Sequence, residues 1–140
     1  MTELTRDMRR CALQALYQFD ILDDVDAESV ARSLAEGPHS DQARIGGQTL
    51  ALDIWPQREV YDLLVKPCAP DWPTHRQPVI DRNILRLALH EIRSLETPGG
   101  KAINAAVELA KEFGTEKSPA FVNAVLDRIW KASEHAETTE

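Results

Sequence analysis

No stretch of this chain alternates apolar and polar residues over the length of a strand, and no apolar run exceeds a few residues. The first absence argues against a β-sheet and the second against a membrane-spanning helix. Cysteine is scarce. Cys11 lies on the apolar side of a helical pattern and Cys68 in a proline-rich connection, which suits a reducing compartment better than a disulfide framework. The sequence has no glycine-rich phosphate loop, no Cys-x-x-Cys, no His-Glu-x-x-His and no Gly-x-Ser-x-Gly. Its four histidines, His39, His75, His90 and His135, are scattered, whereas a metal site needs clustered ligands. Glu108 and Glu112 sit four apart, but nothing would hold a second metal-binding helix opposite them, so they read as a solvated face. No enzyme constellation, metal or cofactor is expected. The opening MTELTRDMRR is charged where a secretory signal would be apolar, and a cytoplasmic location is expected.

What is present is charge and helical period. The 140 residues are 43% hydrophobic and 28% charged, the composition of one ordinary globular domain that can bury a core without disulfides. The net charge of −7 runs against phosphate binding, but seven acids and one base between Asp20 and Asp41 hold −6 of it. The remainder is nearly neutral and can still present a local basic face. The acidic segment is expected to stay solvated and to face away from any nucleic acid.

Thr5 is placed to cap a first helix reaching about residue 22, with Met8, Cys11 or Ala12, Ala15 or Leu16, and Phe19 inward. A short helix over 27–36 points Val30 and Leu34 inward. Asp41 can cap a third, with Ile45, Leu50 and Ile54 on its inner side, and Gly46-Gly47 marks the close approach of another helix. Trp55-Pro56 ends or kinks it, and 58–65 continues. Pro67, Pro70, Pro73 and Pro78 then divide two helical halves. A helix over about 79–94 follows, anchored by Ile80, Ile84 and Leu87. Ile103, Ala106, Val107, Ala110 and Phe113 mark the next, ended by Gly114 in an expected left-handed conformation. Ser118-Pro119 reads as an N-cap with proline at the first helical position, before an apolar stripe of Val122, Val125 or Leu126, and Ile129. The chain is expected to be all-α.

Three blocks in order resemble the NusB family of bacterial transcription antitermination factors. The first is Arg9-Arg10-Cys11-Ala12-Leu13-Gln14-Ala15-Leu16-Tyr17, and the second Ile80-Asp81-Arg82-Asn83-Ile84-Leu85-Arg86-Leu87-Ala88. The third joins Ala102-Ile103-Asn104, Ala106-Val107-Glu108-Leu109-Ala110-Lys111, Phe113-Gly114, Ser118, Phe121-Val122-Asn123 and Val125-Leu126-Asp127. The resemblance implies two small helical bundles packed across each other, about seven helices in all. These would form one domain over 1–133, with an N-terminal half of about 1–66 and a C-terminal half of about 78–133, while the polar composition of 134–140 reads as a disordered tail. It also implies a factor that binds the single-stranded boxA RNA of nascent ribosomal-RNA transcripts together with the ribosomal protein NusE. Such a factor works on the transcription elongation complex and has no membrane partner. Relatives are known as monomers and as homodimers.

Arg6, Arg9 and Arg10 fall on one side of the first helix's opening turns, where guanidinium groups can meet phosphates and stack on unpaired bases. Without the resemblance they read as a solvated surface; with it, as the RNA-binding helix. Tyr17 reads as core from periodicity alone, but by resemblance it and Phe121 belong to the RNA-contacting surface. Lys117 is either a hinge lysine or added positive charge at a helix N-terminus that favours phosphate. Asp7 among the three arginines departs from the family and implies a lower RNA affinity. By resemblance, Asp81 lies at the contact with NusE, with Arg86 close to the same junction and Arg82 sharing its face. Asn104 and Asn123 read as hydrogen-bonding groups between helices. Ala124, where the family commonly has glycine, is expected to be harmless. Two other readings are a protein-binding helical module with little RNA affinity, and a relative of the N-terminal domain of ribosomal-RNA cytosine methyltransferases. Against the latter, the sequence has no glycine-rich cofactor-binding βα unit.

Overall fold

The computed structural model describes residues 4–138, with side chains described to residue 133. The helical periods of the sequence become α1 (Arg6–Leu22), α2 (Ala27–Ala35), α3 (Asp41–Ile54), α4 (Arg58–Val65), α5 (Val79–Ser94), α6 (Gly99–Phe113) and α7 (Ser118–Thr138). Short 3-10 turns occupy Trp55–Gln57, Lys66–Cys68 and Thr74–Arg76. The all-α class is borne out, and no strand occurs among the described residues. None of the described helices is long and apolar enough to cross a membrane. The chain divides into two compact units, Met1–Gln57 and Arg58–Glu140, so the proline-rich segment lies inside the second. The polar tail expected over 134–140 falls on residues whose side chains lie outside the described residues, and α7 itself runs to Thr138.

In the first unit, α1 starts where expected. The Thr5 hydroxyl oxygen accepts the Met8 amide at 3.1 Å, supplying one of the partners that a helix start lacks. The helix ends at Asp23, which takes the left-handed conformation at φ 50°. Its buried face is the expected stripe of Met8, Cys11, Ala12, Ala15, Leu16 and Phe19. The α3 cap is Ser40 and not Asp41: the Ser40 hydroxyl oxygen accepts the Ala43 amide at 3.1 Å, while Asp41 pairs with Arg44. Ile45 also departs from expectation, being 68% exposed. The phase of α3 is set by Gly47, Leu50, Ala51 and Ile54, and position 45 lies about 200° around the helix from position 47.

The glycine pair does mark a close approach. A Cβ on Gly47 would fall onto the Cys11 side chain, 2.7 Å from the Met8 carbonyl oxygen and 2.9 Å from the Ala12 nitrogen. The α1 backbone therefore lies directly on α3 at this point. Phe19 closes the far end of the core against Trp55, edge to face at 5.9 Å.

The second unit is built around α5, which is buried on nearly every side between Asn83 and Glu91 and contributes Ile84, Leu85, Leu87, Ala88 and Leu89 to the core. It also takes polar groups inside, with partners supplied by other helices. Tyr61 and His90 share a 2.7 Å hydrogen bond. Arg86 donates twice to the Asp62 carboxylate, at 2.9 and 2.7 Å, and once to the Asn83 amide oxygen at 3.1 Å. On α6 and α7, the expected Ile103, Ala106, Ala110, Val122, Val125 and Leu126 are buried.

The α6–α7 hinge differs from the sequence reading. Gly114 is extended (φ −90°, ψ −165°) and not left-handed. Glycine is required there for space, since a Cβ would fall 2.5 Å from Ser118 Cβ and Oγ and 2.8 Å from the Ala110 carbonyl oxygen. Ser118 is not the cap either. Thr115 takes that role: its hydroxyl oxygen accepts the Lys117 amide at 3.3 Å, while Ser118 Oγ accepts the Thr115 amide at 2.9 Å. The reciprocal pair is a capping box shifted three residues toward the N-terminus.

Candidate nucleic-acid interface

Packing α1 against α3 through one face leaves the opposite face outward, and that face carries the cations. Arg6 is exposed and Arg10 half-buried, while Arg9 turns inward and is 7% exposed. Of the three arginines expected to meet RNA, the first unit thus presents chiefly Arg6 and Arg10. Tyr17 is 40% exposed, so the core reading from periodicity does not hold and a ring is available to solvent. Asp7 does not stand as a bare negative charge among the arginines. His39 Nδ1 lies 2.8 Å from its carboxylate and Arg10 approaches it at 3.7 Å. Within the acidic segment Asp23, Asp24, Asp26, Glu28, Glu36 and Asp41 are all exposed, as expected.

In the second unit, Lys117 is exposed and Phe121 half-buried in the opening turns of α7. Of the three residues expected at a protein partner, two are buried. Asp81 is 1% exposed, takes a hydrogen bond from the Ser118 side chain, and leaves Oδ1 without a partner. Burial raises its pKa above the ordinary value of 3.8, and the Ser118 bond opposes that rise. Its carboxylate occupies the inner side of the α7 amino end and is not offered at the surface. Arg86 is likewise buried, and it is committed to Asp62 and Asn83. Arg82 is half-exposed. Asn104 and Asn123, expected between helices, are both exposed.

A sequence model described as the NusB family matches residues 6–131. The chain belongs to the NusB family. The transcription antitermination protein NusB of Chloroflexus aggregans is 37% identical to it over 125 residues, covering 87% of this chain and 83% of the relative. The NusB protein of Roseiflexus sp. RS-1 is 36% identical over 132 residues, with 92% and 93% covered. Among solved structures, T. maritima NusB superposes with a TM-score of 0.78 at 32% identity, covering 94% of this chain and 93% of that one. A chain from a crystal structure of the antitermination factors NusB and NusE in complex with dsRNA gives 0.77 at 26% identity, covering 91% and 96%.

Within this NusB-family fold, two residues escaped the sequence reading. Asp62 holds Arg86, and Trp72 packs on Phe121 with ring centroids 5.0 Å apart. The signal for Trp72 was available: a large aromatic within a proline-rich segment has no helix to bury it and must pack on one. Asp62 carried no such signal, because a lone carboxylate on α4 looks like any solvated acid.

Proposed function

We propose that this chain is a transcription antitermination factor that binds the boxA-type RNA of nascent ribosomal-RNA transcripts together with NusE. It acts in the cytoplasm and by binding, not by catalysis. The observation that carries this reading is the outward face of α1, where Arg6, Arg10 and the Tyr17 ring stand at the surface while the opposite face is locked onto α3. Guanidinium groups pair with phosphates, and a phenol ring on the same rigid helix can stack on an unpaired base. Lys117 and Phe121 offer the same pairing of charge and ring at the start of α7. Membership of the NusB family and the likeness to a NusB solved with NusE and dsRNA support the choice of partners. Arg82, half-exposed on α5, is the residue we assign to the protein partner.

The test is a titration of labelled boxA-type RNA by fluorescence anisotropy across a range of salt, with and without NusE. Affinity should fall with salt, and Arg10→Glu should lower it while reducing the logarithmic salt slope by about 0.7, the share of one phosphate contact on a single strand. NusE should tighten RNA binding, and RNA should tighten NusE binding by the same factor. Salt-insensitive binding that ignores Arg10→Glu would remove RNA from α1.

A further inference from the structure

Phe121 does not stand alone on α7. Trp72 meets it edge to face, with 5.0 Å between ring centroids and 62° between planes. Trp72 is held firmly in place. Its indole N–H donates to the Arg76 carbonyl at 3.0 Å, and its own carbonyl accepts from Gln77 Nε2 at 2.9 Å. Further along α7, Arg128 donates to the Cys68 carbonyl at 2.8 Å, so the 66–78 segment is tied to the helix beyond the rings as well. Both rings are half-buried and keep part of their surface toward solvent.

Positions 117, 121, 124 and 128 recur at the spacing of one helix face, and Lys117, Ala124 and Arg128 are exposed along it. The stripe therefore runs cation, ring, small residue, cation over about 16 Å, with the exposed Arg76 beside Trp72. The exposed acids Asp71 and Glu116 adjoin Trp72 and Lys117 in sequence and temper the charge. What the centre of the stripe offers is ring surface. Because the indole N–H is already satisfied, the free interaction of Trp72 is stacking, which every nucleobase accepts.

We propose that Trp72, with Phe121, forms an aromatic platform that receives an unpaired base of bound RNA, which makes Trp72 a base-contacting residue of the second unit. The proposal rests on the reading of the protein as a binder of boxA-type RNA. It favours RNA over a protein ligand because cations stand at both ends of the ring pair and the pair's one polar hydrogen is occupied.

The full chain labelled with 5-fluorotryptophan gives one fluorine resonance each for Trp55, Trp72 and Trp130, and Trp72→Phe assigns the Trp72 resonance by its loss. Adding single-stranded boxA-type RNA should shift the Trp72 resonance and leave that of Trp55, buried against Phe19, in place. The same RNA annealed to its complement should shift it less. Trp72→Leu should lower RNA affinity about tenfold by anisotropy, the usual effect of losing one stacked base, and Trp72→Phe should lose less. RNA that binds with the expected dependence on Arg10 while the Trp72 resonance stays still overturns the platform and leaves the functional reading standing. Absence of any RNA binding overturns both. An equal shift with the duplex, or a shift on adding NusE without RNA, also overturns the platform, in the second case by making the ring pair a protein-docking site. The resonance decides the matter even if Trp72→Leu fails to fold.

Discussion

Replacing Gly47 by alanine should damage the first unit, although alanine is the better helix former. On an open helix the change stabilises by about 1 kcal/mol. At Gly47 the new methyl meets the Cys11 side chain and lies 2.7 and 2.9 Å from backbone atoms of Met8 and Ala12. Backbone cannot rotate away, so α1 has to move as a body. Overpacking of this kind costs about 3 kcal/mol at the upper end. The net loss is then about 2 kcal/mol, or a fall in melting temperature of roughly 4–8 °C for a chain of this size. Gly46→Ala is the matched control. There the obstacle is the terminal methyl of Met8, the movable end of a flexible side chain, and the propensity gain should leave stability at or slightly above that of the parent. Thermal unfolding followed by far-UV circular dichroism, with both variants side by side, measures the difference. If Gly47→Ala unfolds at the parent temperature, or Gly46→Ala is the more damaging of the two, α1 does not rest on the α3 backbone as described.

Three further outcomes are expected. Arg86→Met should cost about 2–3 kcal/mol in denaturant unfolding by stranding Asp62 and Asn83, and Asp62→Asn in the same molecule should recover part of the loss; full stability of Arg86→Met would mean the pair contributes nothing. In the native protein a thiol reagent should modify Cys68 alone, because Cys11 is fully buried and its pKa is pushed up to about 11, by burial first and Asp7 second; two adducts by mass spectrometry before unfolding would contradict that burial. Asp81 holds its proton more tightly folded than unfolded, so its contribution is most favourable below pH 3.8 and is lost as pH rises through its raised pKa. Relative to Asp81→Asn, which does not titrate, the parent should therefore lose stability between acidic and neutral pH, and a constant difference would refute the assignment.

Local features of the fold were legible in the sequence, and relational ones were not. Helix bounds, the Thr5 cap and the inward stripes of α1, α6 and α7 follow from period and capping chemistry, which act within a few residues. The glycine pair was readable because two glycines inside a helix need a reason, and a close neighbour is the commonest one. The burial of Asp81 and Arg86 was not legible, for the opposite cause. Whether a polar side chain lies inside depends on a partner delivered by another helix, such as Ser118 or Asp62, and no spacing within α5 reveals it. Gly114 shows a subtler gap. That the helix ends at a glycine was plain, but the requirement comes from crowding against Ser118 and not from the left-handed backbone expected. At the candidate site, Arg6, Arg10 and Lys117 could be picked out by charge, whereas the surface position of Tyr17 required the resemblance.

The seating of α1 on α3 has a consequence for biosynthesis. An isolated helix the length of α1 is marginal in water, so leaving the ribosome does not by itself order it. Inside the first unit it packs on Gly47 of α3 and on Trp55 just beyond, some 40–50 residues downstream of its start. At about 5–20 residues per second, that stretch takes a few seconds to translate. The helix bearing Arg6 and Arg10 thus gains its full support only once residue 55 has emerged, and a nascent chain cut short before that point should be unable to present its arginines in a fixed array.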